Sequence, residues 1–308
     1  MKAIIFPGQG SQKAGMISDF KSNFKIVDDI LKRADEALKF NLSKIILAGS
    51  DDDLKKTEIT QPAILITSFS IFSILKEEFN FELSNVKYIA GHSLGEYSAL
   101  VASGSISLED GVRLVHERGK LMQAAVPDGK GAMLAVMGLN IHELNLLLKK
   151  FDTKNGICEI ANDNSLGQII LSGSKETLID FSNYLKAEKK RSIFLPVSAP
   201  FHCSLMKPAA ERMKSFLEST EFKDPSLTLI SNVTALPIEN NRDIKELLYK
   251  QIFSQVRWRE SLEFMIKNNI NDFIEIGPGK VLSGLVKRTN DKALTCSINK
   301  IDDIKNLK

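Results

Sequence analysis

The residues Gly91-His92-Ser93-Leu94-Gly95 carry the clearest chemical signal in this chain. They match Gly-x-Ser-x-Gly and lie between an apolar run at 86–90 and a helical pattern at 94–102. A serine hydroxyl becomes a useful nucleophile when it projects from a sharp turn, and flanking glycines permit that turn without a Cβ clash. The start of the following helix leaves backbone N–H groups free for a developing oxyanion. The N–H of Leu94, the residue after the serine, is the natural donor. The same five-residue pattern also occurs in ordinary loops, and it is the strand–turn–helix setting that favours a nucleophile here.

A serine nucleophile needs a base. Four histidines are available: His92, His116, His142 and His202. His92 adjoins Ser93, which makes an in-line hydrogen bond awkward. His116 falls within a helical pattern and His142 opens another, positions more often held by surface or capping residues. His202 lies in Ser198-Ala199-Pro200-Phe201-His202-Cys203, where a loop would return to the active edge of a sheet. On position alone, a base at His202 stands level with a packed or solvated histidine. Cys203 is read as a small packing residue, because side chains of adjacent residues rarely converge.

Arg118 is the most informative single residue. A helical pattern from Leu108 places Leu108, Gly111, Val112, Val115 and Met122 on one stripe, and Arg118 falls on it, three after Val115 and four before Met122. A cation on an apolar face costs several kcal/mol unless it is paired. It is either an internal salt-bridge or snorkelling arginine, or a guanidinium that waits for a substrate carboxylate in a bidentate fork. The loop Gly8-Gln9-Gly10 follows the first apolar run and could bring a backbone N–H close to a ligand. It lacks the Gly-x-x-x-x-Gly-Lys-Ser/Thr spacing of a nucleotide loop.

These residues must be positioned by regular elements. Strand patterns at 2–6 and 86–90 alternate with helical patterns at 24–38, 61–76, 94–102 and 108–125, which points to a parallel α/β sheet. Ser107 is an N-cap candidate for the last helix, with Glu109 and Asp110 in its first turn. The turn-rich Pro127-Asp128-Gly129-Lys130-Gly131 then marks a joint. Beyond it the order is strand, helix, strand, strand, helix, strand (133–137, 141–151, 156–161, 168–172, 175–186, 192–197), the ferredoxin-like pattern. The expected organisation is a main domain of residues 1–128 and 198–308 with a small domain, 129–197, inserted. In the second part of the main domain, strands are expected at 227–231, 272–276 and 293–298, and helices at 205–217, 244–253, 258–267 and 281–287.

Composition narrows the function classes. The chain has 308 residues, 43% of them hydrophobic, enough for a sizeable core. A net charge of +3 gives no sign of a nucleic-acid binder, and the basic clusters at 189–191, 257/259 and 287–288 read as solvated surface. Three cysteines give no disulfide framework and fit a reducing compartment. No metal-ligand spacing is present. The most apolar stretch, 63–75, is interrupted by hydroxyls, falls short of the ~20 residues of a membrane span, and reads as a buried helix.

Taken together, the motifs resemble those of the malonyl-CoA:acyl carrier protein transacylases. The resemblance spans nearly the whole chain. It includes Phe6-Pro7-Gly8-Gln9-Gly10-Ser11-Gln12, Thr60-Gln61-Pro62-Ala63, Gly91-His92-Ser93-Leu94-Gly95-Glu96-Tyr97, Arg118-Gly119 and Asn164-Ser165. It continues through Pro200-Phe201-His202, Ser231-Asn232-Val233-Thr234, Val256-Arg257-Trp258 and Glu275-Ile276-Gly277-Pro278-Gly279. It implies an α/β-hydrolase-like core with a ferredoxin-like insert. It implies Ser93 as nucleophile, His202 as base, the N–H groups of Gln9 and Leu94 as oxyanion hole, and Arg118 as partner of the malonyl carboxylate. The histidine would be oriented by the main-chain carbonyl of Gln251. Leu166 and Gln255 stand where this family usually has proline, and Cys203 where it has serine. None of these removes a catalytic group, though Gln255 could shift the Gln251 segment.

The resemblance implies malonyl transfer from coenzyme A to acyl carrier protein in fatty acid biosynthesis. The expected setting is a cytoplasmic monomer with neither metal nor cofactor, the coenzyme A thioester being a substrate, and with no nucleic-acid or membrane partner. Two rivals stand beside it. A serine hydrolase would share the elbow, but would usually give its histidine an acid and would not bury an arginine beside the serine. A non-enzymatic acyl-carrier-binding module would have no reason to keep Ser93, His202 and Arg118.

Overall fold

The computed structural model describes residues 1–197, 199–305 and 307. In chain order its strands are β1 (Lys2–Phe6), β2 (Val86–Gly91), β3 (Gly131–Met137), β4 (Cys158–Ser165), β5 (Gln168–Ser174), β6 (Arg191–Phe194), β7 (Thr228–Leu229), β8 (Asp272–Ile276) and β9 (Leu294–Ile298). β1 is buried from Ala3 to Phe6, as a strand covered on both faces must be. It lies at the centre of a five-stranded parallel sheet in the order β7-β2-β1-β8-β9. Its register sets Phe6 beside Gly91 at the end of β2. The Gly8-Gln9-Gly10 loop and the Ser93 turn therefore leave the sheet side by side, at the carboxyl edge where open α/β sheets bind ligands.

The second sheet is antiparallel, ordered β4-β5-β3-β6. Helices Ile141–Lys150 and Lys175–Ala187 cross between its strands and cover an apolar cluster around Leu134, Leu171 and Phe181. This is the ferredoxin-like arrangement. The far end of β4 reaches the larger sheet's layer: Val256 N donates to Ala161 O (2.8 Å) and Asp163 N to Val256 O (3.0 Å). Arg259 adds a buried ion pair to Asp163 at 2.7 Å. The expected domain boundary at Ser198 lies outside the described residues.

Several elements differ from the sequence expectation. The central helix runs Thr57–Glu78 rather than 61–76, so Pro62 lies inside it and not at its start. A proline there withholds its N–H from the carbonyl four residues back. That carbonyl, Glu58 O, is taken instead by His116 Nδ1 at 2.9 Å. The helix is long and apolar enough to cross a membrane, yet nearly all of its apolar stretch is buried inside the protein. Short helices Ser18–Asn23, Leu42–Ala48 and Asp51–Lys55 were not expected, since five to seven residues carry too little periodicity to read. The last of them is fixed by a Ser50–Asp53 capping box. The strand expected at 227–231 shrinks to β7: Ile230 N still donates to Ile89 O (3.0 Å), but Ser231 N turns to Leu236 O (3.0 Å) and Ile238 N donates to Leu229 O (2.9 Å).

Helix Leu108–Ala124 starts at an N-cap where Ser107 Oγ accepts from Asp110 N at 3.0 Å. It packs across Thr57–Glu78, and Gly119 allows the close crossing. A Cβ there would lie 2.7 Å from Glu58 Cα and 2.7 Å from Thr57 O. Both neighbours are backbone, so neither can yield cheaply. Gly119→Ala should therefore separate the helices and destabilise the protein by about 1–3 kcal/mol. A denaturant midpoint equal to that of the wild type would show that the crossing is less tight than described.

Candidate active site

The turn after β2 is built on two glycines that cannot be replaced. A Cβ on Gly91 would come within 1.9 Å of Gly95 O, and one on Gly95 within 2.3 Å of Phe6 O. Between them Ser93 takes a left-handed backbone, φ 53°. Such a conformation costs a non-glycine residue of order 1–3 kcal/mol and persists only when its surroundings fix it. Asn232 does much of the fixing: its Oδ1 accepts from Ser93 N (2.7 Å) and its Nδ2 donates to Gly91 O (2.7 Å).

Ser93 Oγ lies 2.8 Å from His202 Nε2, and His202 Nδ1 lies 2.8 Å from Gln251 O. A carbonyl only accepts, so Nδ1 carries the proton and Nε2 offers its lone pair to the serine hydroxyl. His202 is also left-handed, φ 60°. Burial, and then the nearby charge of Arg118, push its imidazole down to about 3, so it is neutral around pH 7. Leu94 precedes the first turn of helix Gly95–Ala102, and it lines the cleft beside Ser93 together with Gln9. Gly8 lets the Gln9 loop approach: a Cβ there would be 2.6 Å from His92 O.

Arg118 is 1% exposed. Its Nη1 donates to Gln61 Oε1 (2.7 Å), and its Nη2 to Ser93 Oγ (3.1 Å) and Gln251 Oε1 (2.9 Å). The guanidinium also lies over the Tyr97 ring, 5.6 Å from its centroid. Its Nε has no partner among the described residues, and no carboxylate there forms an ion pair with it. Of the two possibilities that the sequence leaves open for Arg118, an internal salt bridge is thus not what the structure holds.

Other histidines lie elsewhere. His92 is turned away from Ser93, with Nε2 2.8 Å from Asn164 Oδ1 and its ring edge-on to Trp258. His116 serves the helix crossing, and His142 is exposed on the small sheet's helix. Cys203 is buried, its Sγ bonds Pro200 O at 3.2 Å, and burial pushes its thiol up to about 11. Three buried polar residues were not singled out by type and spacing: Gln61, Glu96 and Asn232. Each sits inside a motif named above. A signal was present for Glu96, the lone charge in the otherwise apolar helix Gly95–Ala102. Burial pushes its carboxyl up to about 7, opposed by bonds from Gln251 and Asn232 and by the charge of Arg118.

The site opens into a cleft of about 750 Å³. Ser93, Arg118 and His202 line it, together with apolar Met133, Ile170 and Leu195 and polar Asn162, Asn164 and Gln168 from the small-sheet region. Among the described residues, no group of three or more His, Cys, Asp or Glu side chains is placed to hold a metal ion.

The acyl transferase domain family matches residues 3–305. A malonyl CoA-acyl carrier protein transacylase from Bacillus subtilis is 42% identical over 299 residues, 96% of this chain and 93% of its own length. One from Haemophilus influenzae is 39% identical over 300 residues, 97% of this chain and 95% of its own. The chain belongs to the malonyl CoA-acyl carrier protein transacylase family. Solved structures of this family superpose throughout. The acyl-carrier-protein-S-malonyltransferase of Bartonella henselae matches with TM-score 0.95 and 39% identity over 99% of this chain and 97% of its own. A malonyl-transacylase in complex with a type II PKS acyl-carrier protein matches with TM-score 0.94 and 37% identity, covering 99% of this chain and 98% of its own. The transacylase family fold thus contains both the parallel sheet and the small ferredoxin-like sheet.

Two outcomes are expected from the histidines. His202→Ala should slow acylation of Ser93 by roughly three orders of magnitude, whereas His92→Ala should keep a measurable rate, because only His202 touches the serine. The reverse order in stopped-flow acylation would make His92 the base. Stability should also report on His202. Unfolded, an imidazole titrates near ~6.5; folded, this one is held at about 3. Between those values the unfolded chain binds a proton that the folded protein does not, so stability falls as pH drops from about 6.5 towards 3. His202→Gln should lose that share of the acid slope, seen as a smaller drop in the urea midpoint between pH 7.5 and pH 5.

Proposed function

We propose that this protein transfers a malonyl group from coenzyme A to the phosphopantetheine thiol of acyl carrier protein, in fatty acid biosynthesis, through a malonyl ester on Ser93. The carrying observation is the pairing of a neutral Ser93–His202–carbonyl arrangement with a buried guanidinium that has no carboxylate partner among the described residues. His202 takes the hydroxyl proton as Ser93 Oγ attacks the thioester carbon. The N–H groups of Gln9 and Leu94 receive the oxyanion, Arg118 holds the malonyl carboxylate, and coenzyme A leaves as the thiol. The carrier thiol then attacks the ester, with His202 again as base, which restores free Ser93 and gives ping-pong kinetics. Kinship supports each substrate: the relatives are named for malonyl CoA and acyl carrier protein, and one solved relative is bound to a carrier protein. The proposed chemistry uses side chains and backbone amides alone. The thiols of Cys158, Cys203 and Cys296 are all free, which fits a reducing cytoplasmic setting.

A hydrolase is disfavoured because His202 is oriented by a main-chain carbonyl, and because a hydrolase of neutral esters has no use for Arg118. Incubation with malonyl-CoA should add one malonyl group to the intact mass, with a burst of coenzyme A and little steady hydrolysis. Ser93→Ala should fold and gain no mass. Charge-assisted hydrogen bonds contribute roughly 2–5 kcal/mol when one partner is truncated. Arg118→Ala should therefore lower kcat/KM for malonyl-CoA by roughly 30-fold or more, at ~1.4 kcal/mol per tenfold, while acetyl transfer holds or improves. Equal losses on the two substrates would make Arg118 a purely structural cation.

A further inference from the structure

The Gln251 side chain lies at a junction that the proposed chemistry does not use. Its Nε2 donates to Ser93 O (2.9 Å) and to Glu96 Oε2 (2.6 Å), of which the first can only accept and the second only accepts once ionised. Its Oε1 faces a group that can only donate, Arg118 Nη2 (2.9 Å). A carboxamide has two nearly isosteric orientations, and its neighbours decide between them. Here Glu96 and the Ser93 carbonyl occupy both N–H bonds, so the oxygen must turn to Arg118. Were the amide reversed, its N–H groups would confront the guanidinium and its oxygen would confront a carboxylate.

Glu96 is itself 1% exposed and touches no cation among the described residues. Its other donor is the backbone N–H of Asn232, at 3.3 Å. A carboxylate inside a protein, away from its counter-charge, is costly to keep unless it fixes something. What it reaches on one side is Gln251, and through Gln251 the cation that faces the substrate.

We propose that Glu96 is a positioning residue for acyl-group selectivity, acting through the Gln251 carboxamide to hold Arg118 in register with the nucleophile. The inference rests on the malonyl-transfer function above. Glu96 does not touch substrate. It sets the amide orientation that gives Nη2 of Arg118 an acceptor, and so keeps the fork pointed at the place where an acyl carboxylate would lie. Gln251 ends the helix Arg242–Gln251, so its main-chain carbonyl has no partner within the helix and is left to accept from His202. The bond to His202 therefore survives changes to the Gln251 side chain, and base and selectivity can be separated.

The test compares kcat/KM for malonyl-CoA and acetyl-CoA at pH 8, where Glu96 is ionised, in wild type, Glu96→Met, Glu96→Gln, Gln251→Met and the Glu96→Met/Gln251→Met double variant. Methionine keeps the volume and removes the acceptor, whereas glutamine keeps an acceptor in the same place. Glu96→Met should lower the malonyl-to-acetyl ratio by about tenfold, the effect of one hydrogen bond to a charged group. Gln251→Met should do the same, the double variant should be no worse than either, and Glu96→Gln should recover most of the ratio. A wild-type ratio in Glu96→Met or Gln251→Met would overturn the proposal. So would equal losses on both substrates, a further drop in the double variant, or a Glu96→Gln ratio as low as that of Glu96→Met, which would assign the effect to charge alone. If Glu96→Met fails to fold, Gln251→Met still decides, since the relay passes through it. A wild type with no preference for malonyl would instead refute the function on which the proposal rests.

Discussion

A cation sealed among neutral oxygens governs the rest of this structure. Taking a guanidinium out of water costs several kcal/mol, which is recovered only when its N–H groups are well bonded. Arg118 obtains partial compensation from Gln61, Gln251, the Ser93 hydroxyl and the Tyr97 face, and its Nε remains unbonded among the described residues. The four partners come from three segments, so the long buried helix, the elbow with the helix that follows it, and the helix ending at Gln251 must meet at one point. The Gly119 crossing brings the first of these close enough, and the paired glycines of the elbow bring the second. An apolar residue at 118 would make a more comfortable core and a site with nothing to attract an anion.

The same junction couples two tasks in one residue. The backbone of Gln251 faces His202 and its side chain faces the cation. The segment after it departs from the family pattern at Gln255, yet the contact to His202 is intact at 2.8 Å. The reason lies in the next residue. Both main-chain polar groups of Val256 are bonded to β4, and Arg259 is tied to Asp163 beside them. The small sheet thus anchors the chain near His202, and the contact from Gln251 stays in place with Gln255 in the segment.

Much of this was legible in the sequence, for identifiable reasons. The elbow could be read because glycine spacing and backbone sterics leave few alternatives for Gly-x-Ser-x-Gly between a strand and a helix. Arg118 could be read because a cation breaks an otherwise apolar stripe. The small sheet could be read because βαββαβ order admits essentially one antiparallel arrangement. What escaped depended on contacts distant in the chain. Pro62 marked a helix start only until His116, 54 positions on, supplied the bond that proline withholds. Asn232 and Gln61 look like ordinary polar residues until the turn and the guanidinium they serve are brought beside them. His202 and a packed histidine could not be told apart by position, since 109 residues separate it from Ser93.

Trp258 is the single tryptophan of the chain, fully buried and edge-on to the His92 ring at 5.5 Å between centroids. His92 is covalently next to Ser93 and bonded to Asn164 on β4. The indole thus packs against the imidazole next to Ser93, which in turn is bonded to the small sheet. Its emission comes from one environment, undiluted by other tryptophans, and a change in the tilt or charge of the neighbouring imidazole alters that environment directly. The fold has placed an intrinsic optical reporter against the residue next to Ser93, with no label to attach.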